Sequence, residues 1–399
     1  MNKEKGRVPK LRFPGFTEDW EQRKLAELCN VYDGTHQTPR YTNSGVMFVS
    51  VENIKTLESD KYISEDDFKN EFKIFPEFGD ILLTRIGDVG SANIILDNIK
   101  RAYYVSLALL KPKDTNSLFL LALLSSASAQ SEIWKRTLHI AFPKKINKNE
   151  ISKVIVNKPS ILEQKKIGEL IYALDQTITL HQRKLEHLNL KKKALLQKLF
   201  PKNGARYPEL RFPGFTDAWE QRKLGDYLSI PEKEILEVAS SDDLITVKLN
   251  LGGVELGASR DTLSLGSTVY YKRYAGQFIY GKQNFFNGSM GLIPTNLDGK
   301  GSSGDVPSFN VSNIEENYLY TYVSRESYWR SKEAAASGTG SKRIHEKTFL
   351  DFNIDVPSMD EQKLISNTFD LIDRFITLHQ RKLEHLQLQK KALLQQMFV

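Results

Sequence analysis

One stretch of the sequence places glycines and a lysine where a phosphate-binding loop would have them. Residues 276–283 contain Gly276, Gly281 and Lys282, but Gln283 stands where a serine or threonine would hold magnesium. The interior of the stretch also has the apolar character of a strand. No Gly-x-Gly-x-x-Gly occurs in the chain, and no Asn or Asp is followed by Pro-Pro and an aromatic residue. The sequence therefore does not favour nucleotide binding or amino-methyltransferase chemistry.

A second stretch resembles a nuclease core only faintly. Glu361 and Lys363 are two residues apart, with Asp355 upstream, but a helix-capping role explains Glu361 better. The histidines of the predicted helices are six residues apart, which is not a metal-ligand spacing on a helix. No metal site or catalytic residue is predicted.

Positive charge is concentrated in short clusters. The formal net charge is +7 with a pI near 9.1, which suits an acidic partner such as nucleic acid. Lys144 and Lys145 form one cluster, and residues 271–274, 282–284 and 342–343 mix basic, amide and aromatic side chains. Each cluster also has a simpler explanation, a solvated charge or a turn.

Composition limits the compartment. The single cysteine, Cys29, excludes an intramolecular disulfide and fits a reducing cytoplasm. The first ten residues have no apolar core and predict no signal peptide. The longest apolar run, residues 118–124, is too short to span a bilayer, so no membrane association is expected.

The elements that must position these clusters follow from two long heptad patterns. Residues 178–200 recur as residues 376–398 with 19 of 23 positions identical. Apolar positions alternate steps of four and three, which predicts two coiled-coil helices of about 36 residues, roughly 54 Å long. The predicted seam comprises Ile171, Leu174, Ile178, His181, Leu185, Leu188 and Leu195 in the first copy, and Phe369, Ile372, Ile376, His379, Leu383, Leu386 and Leu393 in the second.

Polar residues interrupt each seam. His181 and Lys192 lie in the first seam, and His379 and Lys390 in the second. Polar seam residues commonly fix register at some cost in stability. A pH switch through the histidines is the alternative.

A second repeat begins each half of the chain. Residues 11–25, LRFPGFTEDWEQRKL, recur as residues 210–224 with two substitutions. The Phe-Pro-Gly-Phe turn followed by Trp20 or Trp219 suggests an aromatic plug with a structural role. The predicted organisation is a first domain over residues 1–158, a helix over 159–200, a second domain over 201–356 and a second helix over 357–399.

The two variable blocks show little sequence similarity but the same order of elements. In the first, strands are predicted at 46–51, 80–84, 92–96 and 106–111, followed by a helix over 118–136. In the second, strands are predicted at 244–249, 267–274, 277–280 and 291–294, followed by a helix over 318–336.

Each long helix begins with Pro-Ser-x-x-Glu-Gln-Lys. Ser160 and Ser358 are candidate N-caps, and Glu163 and Glu361 three residues later complete a capping box. The second domain follows directly after Pro201, so the second helix must run back toward the first. If the helices pair, they pair antiparallel, with the variable blocks at opposite ends and related by a pseudo-two-fold.

These motifs together resemble the specificity subunits of type I DNA restriction–modification enzymes. The resemblance covers nearly the whole chain and rests on the two LRFPGFT-x-x-WEQRKL segments, the two Pro-Ser-x-x-Glu-Gln-Lys segments and the helix pair. The first block also carries residues 33–39, DGTHQTP, and 79–87, GDILLTRIG, which are similar to target-recognition domains of this family; the second block lacks both. The resemblance implies an α/β fold: two α/β target-recognition domains joined by two long helices that form an antiparallel coiled coil, with an internal pseudo-two-fold.

The resemblance also implies a non-catalytic subunit with several partners. Each block would recognise one half of a bipartite double-stranded DNA target, and the coiled coil would set the spacer. Two methyltransferase subunits, which use S-adenosylmethionine to methylate adenine, would dock on the helical regions. Restriction subunits would complete the complex. The chain itself would hold no cofactor, because S-adenosylmethionine, ATP and magnesium belong to the partner subunits.

Candidate DNA contacts follow from the chemistry of phosphates and base edges, which favours basic, amide, hydroxyl and aromatic side chains. The candidates are Thr35, His36, Thr38, Arg40, Tyr41, Arg85, Lys144 and Lys145 in the first block, and Lys272, Arg273, Lys282, Gln283, Asn284, Lys342 and Arg343 in the second. Lys191, Lys192 and Lys193 either form a solvated helix face or contact the methyltransferase subunits.

An alternative from another functional class is a structural tether, in which a coiled coil joins two protein-binding modules without nucleic acid. The sequence lacks the motifs expected of a self-contained nuclease or methyltransferase.

Overall fold

The structure, a computed structural model, describes residues 8–202, 204–257, 268–337 and 342–399. The chain divides into two compact units. Unit 1 holds the chain up to Arg183 together with His379–Val399, and unit 2 holds Lys184–Leu378. Each unit thus combines one variable block with a stretch of both long helices. The division into four segments at residues 158, 200 and 356 stays a prediction.

The described part of unit 1 is a mixed α/β domain followed by a long helix. Its strands are β1 Glu21–Lys24, β2 Cys29–Asp33, β3 Tyr41–Thr42, β4 Val46–Val49, β5 Tyr62–Ile63, β6 Ile81–Thr84, β7 Ala92–Ile94, β8 Arg101–Tyr103, β9 Leu107–Pro112 and β10 Ile155–Lys158. Its helices are α1 Leu25–Leu28, α2 Glu65–Glu71, α3 Ser117–Leu124, α4 Ala127–Arg136 and α5 Lys148–Ser152, and α6 Ile161–Lys198 continues into unit 2.

The described part of unit 2 is likewise a mixed α/β domain followed by a long helix. Its described strands are β11 Glu220–Lys223, β12 Leu228–Ser229, β13 Ile245–Val247, β14 Val254–Leu256, β15 Tyr270–Lys272, β16 Phe278–Tyr280, β17 Met290–Leu292, β18 Gly301–Ser303, β19 Ser308–Val311 and β20 Asn353–Val356. Its helices are α7 Glu316–Ser324, α8 Glu326–Arg330, α9 Glu346–Leu350 and α10 Met359–Gln396, the last of which continues into unit 1.

A four-stranded antiparallel sheet is common to both units. Its order is β2-β9-β6-β7 in unit 1 and β12-β19-β16-β17 in unit 2. The remaining strands differ. Unit 1 adds a second four-stranded sheet, β3-β5-β4-β8, whereas unit 2 adds the pairs β13-β14 and β15-β18. The predicted common order of elements is confirmed, and the difference between blocks lies in the added strands.

The repeated EQRK sequence closes each domain. β1 pairs antiparallel with β10, Glu21 opposite Lys158, and β11 pairs with β20, Glu220 opposite Val356. The first and last strands of a block are therefore neighbours, and each long helix begins within three residues of the closing strand. This geometry lets the sequence between the closing strands vary while its ends stay fixed.

The seam of the predicted coiled coil is confirmed by burial. α6 and α10 each contain 38 residues, about 57 Å of helix. All predicted seam positions are buried or half-buried, whereas the flanking charged positions are mostly exposed. Within unit 1, Ile167, Ile171 and Met397 enter the core of the domain.

Polar contacts define the direction of the helices inside each unit. In unit 1 the Nδ1 atoms of His181 and His379 lie 2.8 Å apart, and Asp175 pairs with Lys390 at 2.5 Å. In unit 2 Lys192 pairs with Asp373 at 2.6 Å. In unit 1, Asp175 precedes His181 in α6, whereas its partner Lys390 follows His379 in α10. The helices are therefore antiparallel in unit 1.

The rings of Phe200 and Phe369 lie 6.1 Å apart in unit 2. Phe200 follows Lys192 along the chain, and Phe369 precedes Asp373, so the helices are antiparallel in unit 2 as well. Each seam lysine has an aspartate partner on the opposite helix, which supports a role in register. At 2.8 Å one histidine nitrogen donates a hydrogen bond and the other accepts it. The pH switch through this pair stays a prediction.

The helix predicted over 118–136 is two helices. α3 ends at Leu124, and the Ser126 hydroxyl accepts a hydrogen bond from the Ala129 amide at 3.3 Å, which caps α4 as a new helix. The helix predicted over 318–336 is likewise divided, because Arg325 has extended backbone between α7 and α8. The strand predicted over 267–274 is confirmed for Tyr270–Lys272, and Ser267 lies outside the described residues.

The predicted capping box is wrong in its acidic half. The Glu163 carboxylate accepts hydrogen bonds from Nε and Nη2 of Arg12, at 2.7 and 2.8 Å. The Glu361 carboxylate accepts the same two bonds from Arg211, both at 2.8 Å. The serine half is present in α10, where the Glu361 amide donates to Ser358 Oγ at 3.4 Å. The glutamates thus join the LRFPGF segment of each unit to the first turn of its helix through a buried bidentate ion pair.

The adjacent glutamine completes this clamp. Gln164 Nε2 donates to the Pro159 carbonyl at 2.9 Å, and its Oε1 accepts from the Asn116 amide at 3.1 Å. Gln362 makes the equivalent bonds to Pro357 and Glu315, both at 2.9 Å. The Glu-Gln pair of the repeat therefore binds the helix to two other parts of its own unit.

The aromatic plug is confirmed as a structural contact. Trp20 is buried with its ring centroid 6.0 Å from both Phe119 and Phe398. Trp219 is buried with its centroid 6.1 Å from Phe200 and 6.0 Å from Tyr318. Each tryptophan seals the domain against the end of one long helix. Of the helices described, none is long and apolar enough to cross a membrane.

Candidate nucleic-acid interface

The first candidate segment of unit 1 is a loop held by its backbone. The Thr35 amide donates to the Tyr103 carbonyl at 3.1 Å, and the Thr35 carbonyl accepts from the Val105 amide at 2.9 Å. A Cβ at Gly34 would lie 2.5 Å from the Tyr103 carbonyl oxygen, so this approach requires glycine. Thr35 is half-buried. The exposed candidates of this loop are His36, Thr38, Arg40 and Tyr41.

Arg85 is not on the surface. Its side chain is 9% exposed, its Nη1 pairs with Asp33, and its Nε donates to the Ile146 carbonyl at 3.2 Å. Arg85 therefore has a positioning role, and its contact with DNA stays a prediction. The sequence could not indicate this, because Asp33 lies far upstream and both residues belong to motifs that were assigned to DNA.

Lys144 and Lys145 lie at the base of a loop that we name basic loop 1, residues 138–145. The Leu138 amide donates to the Lys145 carbonyl at 2.7 Å, which closes the loop. The Lys144 carbonyl accepts from Gly87 at 2.8 Å. The Ile146 amide donates to the Arg85 carbonyl at 2.9 Å, so the loop is fixed to the end of β6.

Both lysines are exposed, and neither is within ion-pair distance of a carboxylate in the described chain. Lys144 Nζ lies 4.8 Å from the centroid of the Trp134 ring. The His139 ring lies 4.1 Å from the same ring on a centroid-to-centroid measure. Trp134 thus supports a loop that carries two unneutralised cations.

Sequence reasoning missed the tip of basic loop 1. Ile140 and Phe142 are fully exposed, at 104% and 103% of their reference areas. The signal was present in the sequence, since the run Leu-His-Ile-Ala-Phe-Pro precedes the lysines and belongs to no predicted helix or strand.

Unit 2 brings Lys282 and the loop that carries Lys342 and Arg343 together in the corresponding place. Ser337 and Arg343 pair as an antiparallel bridge, with N–O distances of 3.0 and 2.9 Å, and define the base of basic loop 2, residues 337–343. The Ile344 amide donates to the Lys282 carbonyl at 3.1 Å. Lys282 therefore occupies the place that Arg85 has in unit 1. Residues 338–341 lie outside the described chain.

Four candidate cations of unit 2 pair with carboxylates of the same unit. Lys272 donates a hydrogen bond to the Glu234 carboxylate, which raises the pKa of Lys272. The other pairs are Lys282 with Glu346 at 2.9 Å, Lys342 with Glu333, and Arg343 with Asp305 at 3.4 Å. Only the amide candidates Gln283 and Asn284 are both exposed and uncharged.

Arg273 is buried. Its Nε donates to Ser302 Oγ at 2.7 Å and its Nη2 to the Val306 carbonyl at 3.3 Å. Burial lowers the pKa of Arg273 to about 10. The guanidinium holds the β15–β18 region and so has a structural role, and its contact with DNA stays a prediction.

The residues weighed for enzymatic chemistry have structural environments. Residues 278–280 form the buried strand β16 inside the stretch that resembled a phosphate loop. Asp355 Oδ2 accepts from the Tyr322 hydroxyl at 2.7 Å, and Glu361 is bound to Arg211. Each unit instead presents basic, amide and hydroxyl groups on loops fixed to the end of one sheet, which is an arrangement for binding phosphates and base edges.

Comparison with known proteins agrees with this arrangement. A family model described as type I restriction modification DNA specificity domain matches the chain twice, over residues 17–190 and 217–388. The chain is 24% identical to the putative type I restriction enzyme MjaX specificity subunit of Methanocaldococcus jannaschii, over 94% of this chain and 92% of that protein. It is 21% identical to the MjaVIII specificity subunit of the same organism, over 62% of each.

The fold has a solved counterpart. The crystal structure of a type I restriction–modification S subunit from M. genitalium matches with a TM-score of 0.64 at 13% identity, over 98% of this chain and 99% of that one. The chain belongs to the family of type I restriction–modification DNA specificity domains and carries two of them.

Proposed function

We propose that the chain is the sequence-specific DNA-binding specificity subunit of a type I restriction–modification complex. The observation that carries the proposal is the repetition of one scaffold with two different surfaces. The same four-stranded sheet positions a basic loop beside the end of β6 in unit 1 and of β16 in unit 2, but the exposed side chains differ. Each unit recognises one half of a bipartite target.

The subunit contributes no catalytic group and directs adenine methylation or restriction by its partners. The acids closest to an enzymatic pattern, Asp355 and Glu361, are engaged in contacts that hold unit 2 together. S-adenosylmethionine, ATP and magnesium are bound by the methyltransferase and restriction subunits.

The methyltransferase subunits dock on the coiled-coil helices. Leu180 and Leu388 in unit 1, and Leu190 and Leu378 in unit 2, are each more than three-fifths exposed although they lie on helices. They occupy equivalent positions of the two repeats. Repeated exposed leucines on a helix are suited to a helical protein partner, and the pattern supports two equivalent docking sites. Lys191 and Lys193 lie beside Leu190.

The coiled coil sets the spacer between the half-sites. Four helix-forming residues inserted in both helices, between Arg183 and Lys184 and between Leu378 and His379, add about 6 Å at 1.5 Å per residue. On DNA this corresponds to one or two base pairs at about 3.4 Å each. We expect the methylated motif to keep both half-sites and gain one or two spacer base pairs, measured by methylome sequencing. An unchanged spacer with full activity would contradict the ruler.

An electrophoretic mobility shift separates this function from a protein tether. The chain, purified with and without methyltransferase subunits, is titrated with duplexes that contain the motif found by methylome sequencing. We expect the complex to shift the motif duplex at concentrations at least 10³-fold below those for a scrambled duplex. Equal binding to both duplexes, or none, would favour a coiled coil that joins two protein-binding modules.

A further inference from the structure

The tip of basic loop 1 is the most exposed apolar surface in the described chain. Ile140 and Phe142 are fully exposed, whereas the next large apolar side chain, Leu162, is 69% exposed. An exposed isoleucine and an exposed phenylalanine two residues apart are unfavourable in water unless a partner covers them.

The loop is mounted rigidly, so the tip is presented in a defined direction. Leu138 and Lys145 close it, and the carbonyls of Lys144 and Arg85 bind Gly87 and Ile146. The Arg85 side chain is itself fixed by Asp33. These bonds tie the loop to a strand of the common sheet.

The surroundings of the tip favour DNA over protein as its partner. Lys144 and Lys145, which have no carboxylate partner among the described residues, follow Phe142 after one proline, and His139 precedes Ile140. Two apolar side chains next to cations are far too small for a stable protein interface, which needs about 800 Å² from each partner. Apolar side chains that enter a base step while adjacent lysines bind phosphates are an established way of bending a duplex.

We propose that basic loop 1 is a wedge, with Phe142 inserted between base pairs of the half-site that unit 1 recognises and with Ile140 packed against the opened step. Lys144 and Lys145 neutralise the flanking phosphates. The inference rests on the proposed function of the chain as a DNA-binding subunit.

The two half-sites should therefore differ in shape. Basic loop 2 has the sequence Gly-Thr-Gly-Ser at residues 338–341, with no large apolar side chain. Unit 1 would unstack one base step of its half-site, and unit 2 would leave its half-site stacked.

The test uses the complete complex with its methyltransferase subunits. Duplexes carry 2-aminopurine, whose fluorescence rises on unstacking, in place of each adenine of either half-site in turn. Any extrusion of a target adenine by a methyltransferase subunit would contribute at both half-sites, so the excess signal in the first half-site measures the wedge. Wild-type complex should give this excess at one step. Phe142→Ala should abolish it and weaken binding of the target roughly tenfold, the range of one aromatic–base stack.

Two control variants keep the proposal falsifiable. Phe78→Ala removes another exposed phenylalanine of unit 1, 65% exposed, and should change nothing. Lys144→Ala with Lys145→Ala should reduce the salt slope of binding by about 2 while the excess fluorescence at saturation remains.

Three results would overturn the wedge. If wild-type complex binds its target but Phe142→Ala leaves affinity and fluorescence unchanged, the wedge is wrong and the proposed function stands. If Phe142→Ala instead prevents a methyltransferase subunit from co-purifying, the tip contacts protein. If the wild-type complex shows no preference for its motif, both the wedge and the proposed function fail.

Discussion

The two basic loops have the same attachment and different surfaces. The amide that follows each loop, of Ile146 or Ile344, donates to a carbonyl one or two residues after the sheet strand, that of Arg85 at 2.9 Å or of Lys282 at 3.1 Å. In unit 1 the exposed Lys144 and Lys145 of basic loop 1 have no carboxylate partner in the described chain. In unit 2 Lys342 and Arg343 are held by Glu333 and Asp305. The repeated sequence therefore determines the scaffold of each unit, which we call its frame. The variable block determines the charge that each frame presents.

The frames themselves should be equally sensitive to damage. Glu163→Ala and Glu361→Ala each leave a mostly buried arginine without its carboxylate, with side chains of Arg12 and Arg211 11% and 15% exposed. We expect each variant to lower the free energy of unfolding by about 3 kcal/mol, measured by denaturant titration. Glu169→Ala, at an exposed position of the same helix, is the matched control. Losses that differ by more than about 1 kcal/mol between the clamps would break their equivalence.

The surfaces should respond unequally. Lys144→Ala with Lys145→Ala should weaken DNA binding roughly tenfold and flatten the salt slope by about 2, because two phosphates lose their cations. Lys342→Ala with Arg343→Ala should cost less binding, since each cation must first leave its carboxylate partner. Binding titrations at several salt concentrations give both quantities. Equal losses from the two pairs would mean that carboxylate pairing does not decide the contribution.

Releasing the cations of unit 2 should have the smallest effect and the opposite sign. Glu333→Gln with Asp305→Asn frees Lys342 and Arg343 without removing them. We expect binding to any duplex to strengthen a few-fold and the salt slope to steepen, because exposed ion pairs contribute little stability. A control with Glu58→Gln, an exposed acid of unit 1, should leave the slope unchanged.

The frame was largely predictable from sequence, and the surface was not. Heptad spacing located the seam residues of both helices because burial on a helix repeats at that spacing. Trp20 and Trp219 were identified as structural because they recur. The clamp was missed because a glutamate three residues after a helix-capping serine equally predicts a capping box, and Arg12 lies 151 residues from Glu163.

The sequence also could not separate the exposed candidate DNA contacts from the buried ones. Residue type placed Arg85 and Arg273 among them, but burial and partners distant in sequence give both a structural role. Ile140 and Phe142 were overlooked because composition predicts that such residues are buried. Periodicity reports which face of an element is buried, and it carries no information about an irregular loop.

The central claim is that each unit recognises one half of a bipartite target. Residues 25–158 run from the residue after β1 to the end of β10, so a relative's equivalent segment can replace them while Arg12, Glu163 and the seam residues stay in place. Methylome sequencing of cells that express this chimera gives the methylated motif directly. The account predicts that one half of the motif changes while the other half and the spacer stay the same. A motif in which both halves change, or neither does, would contradict it.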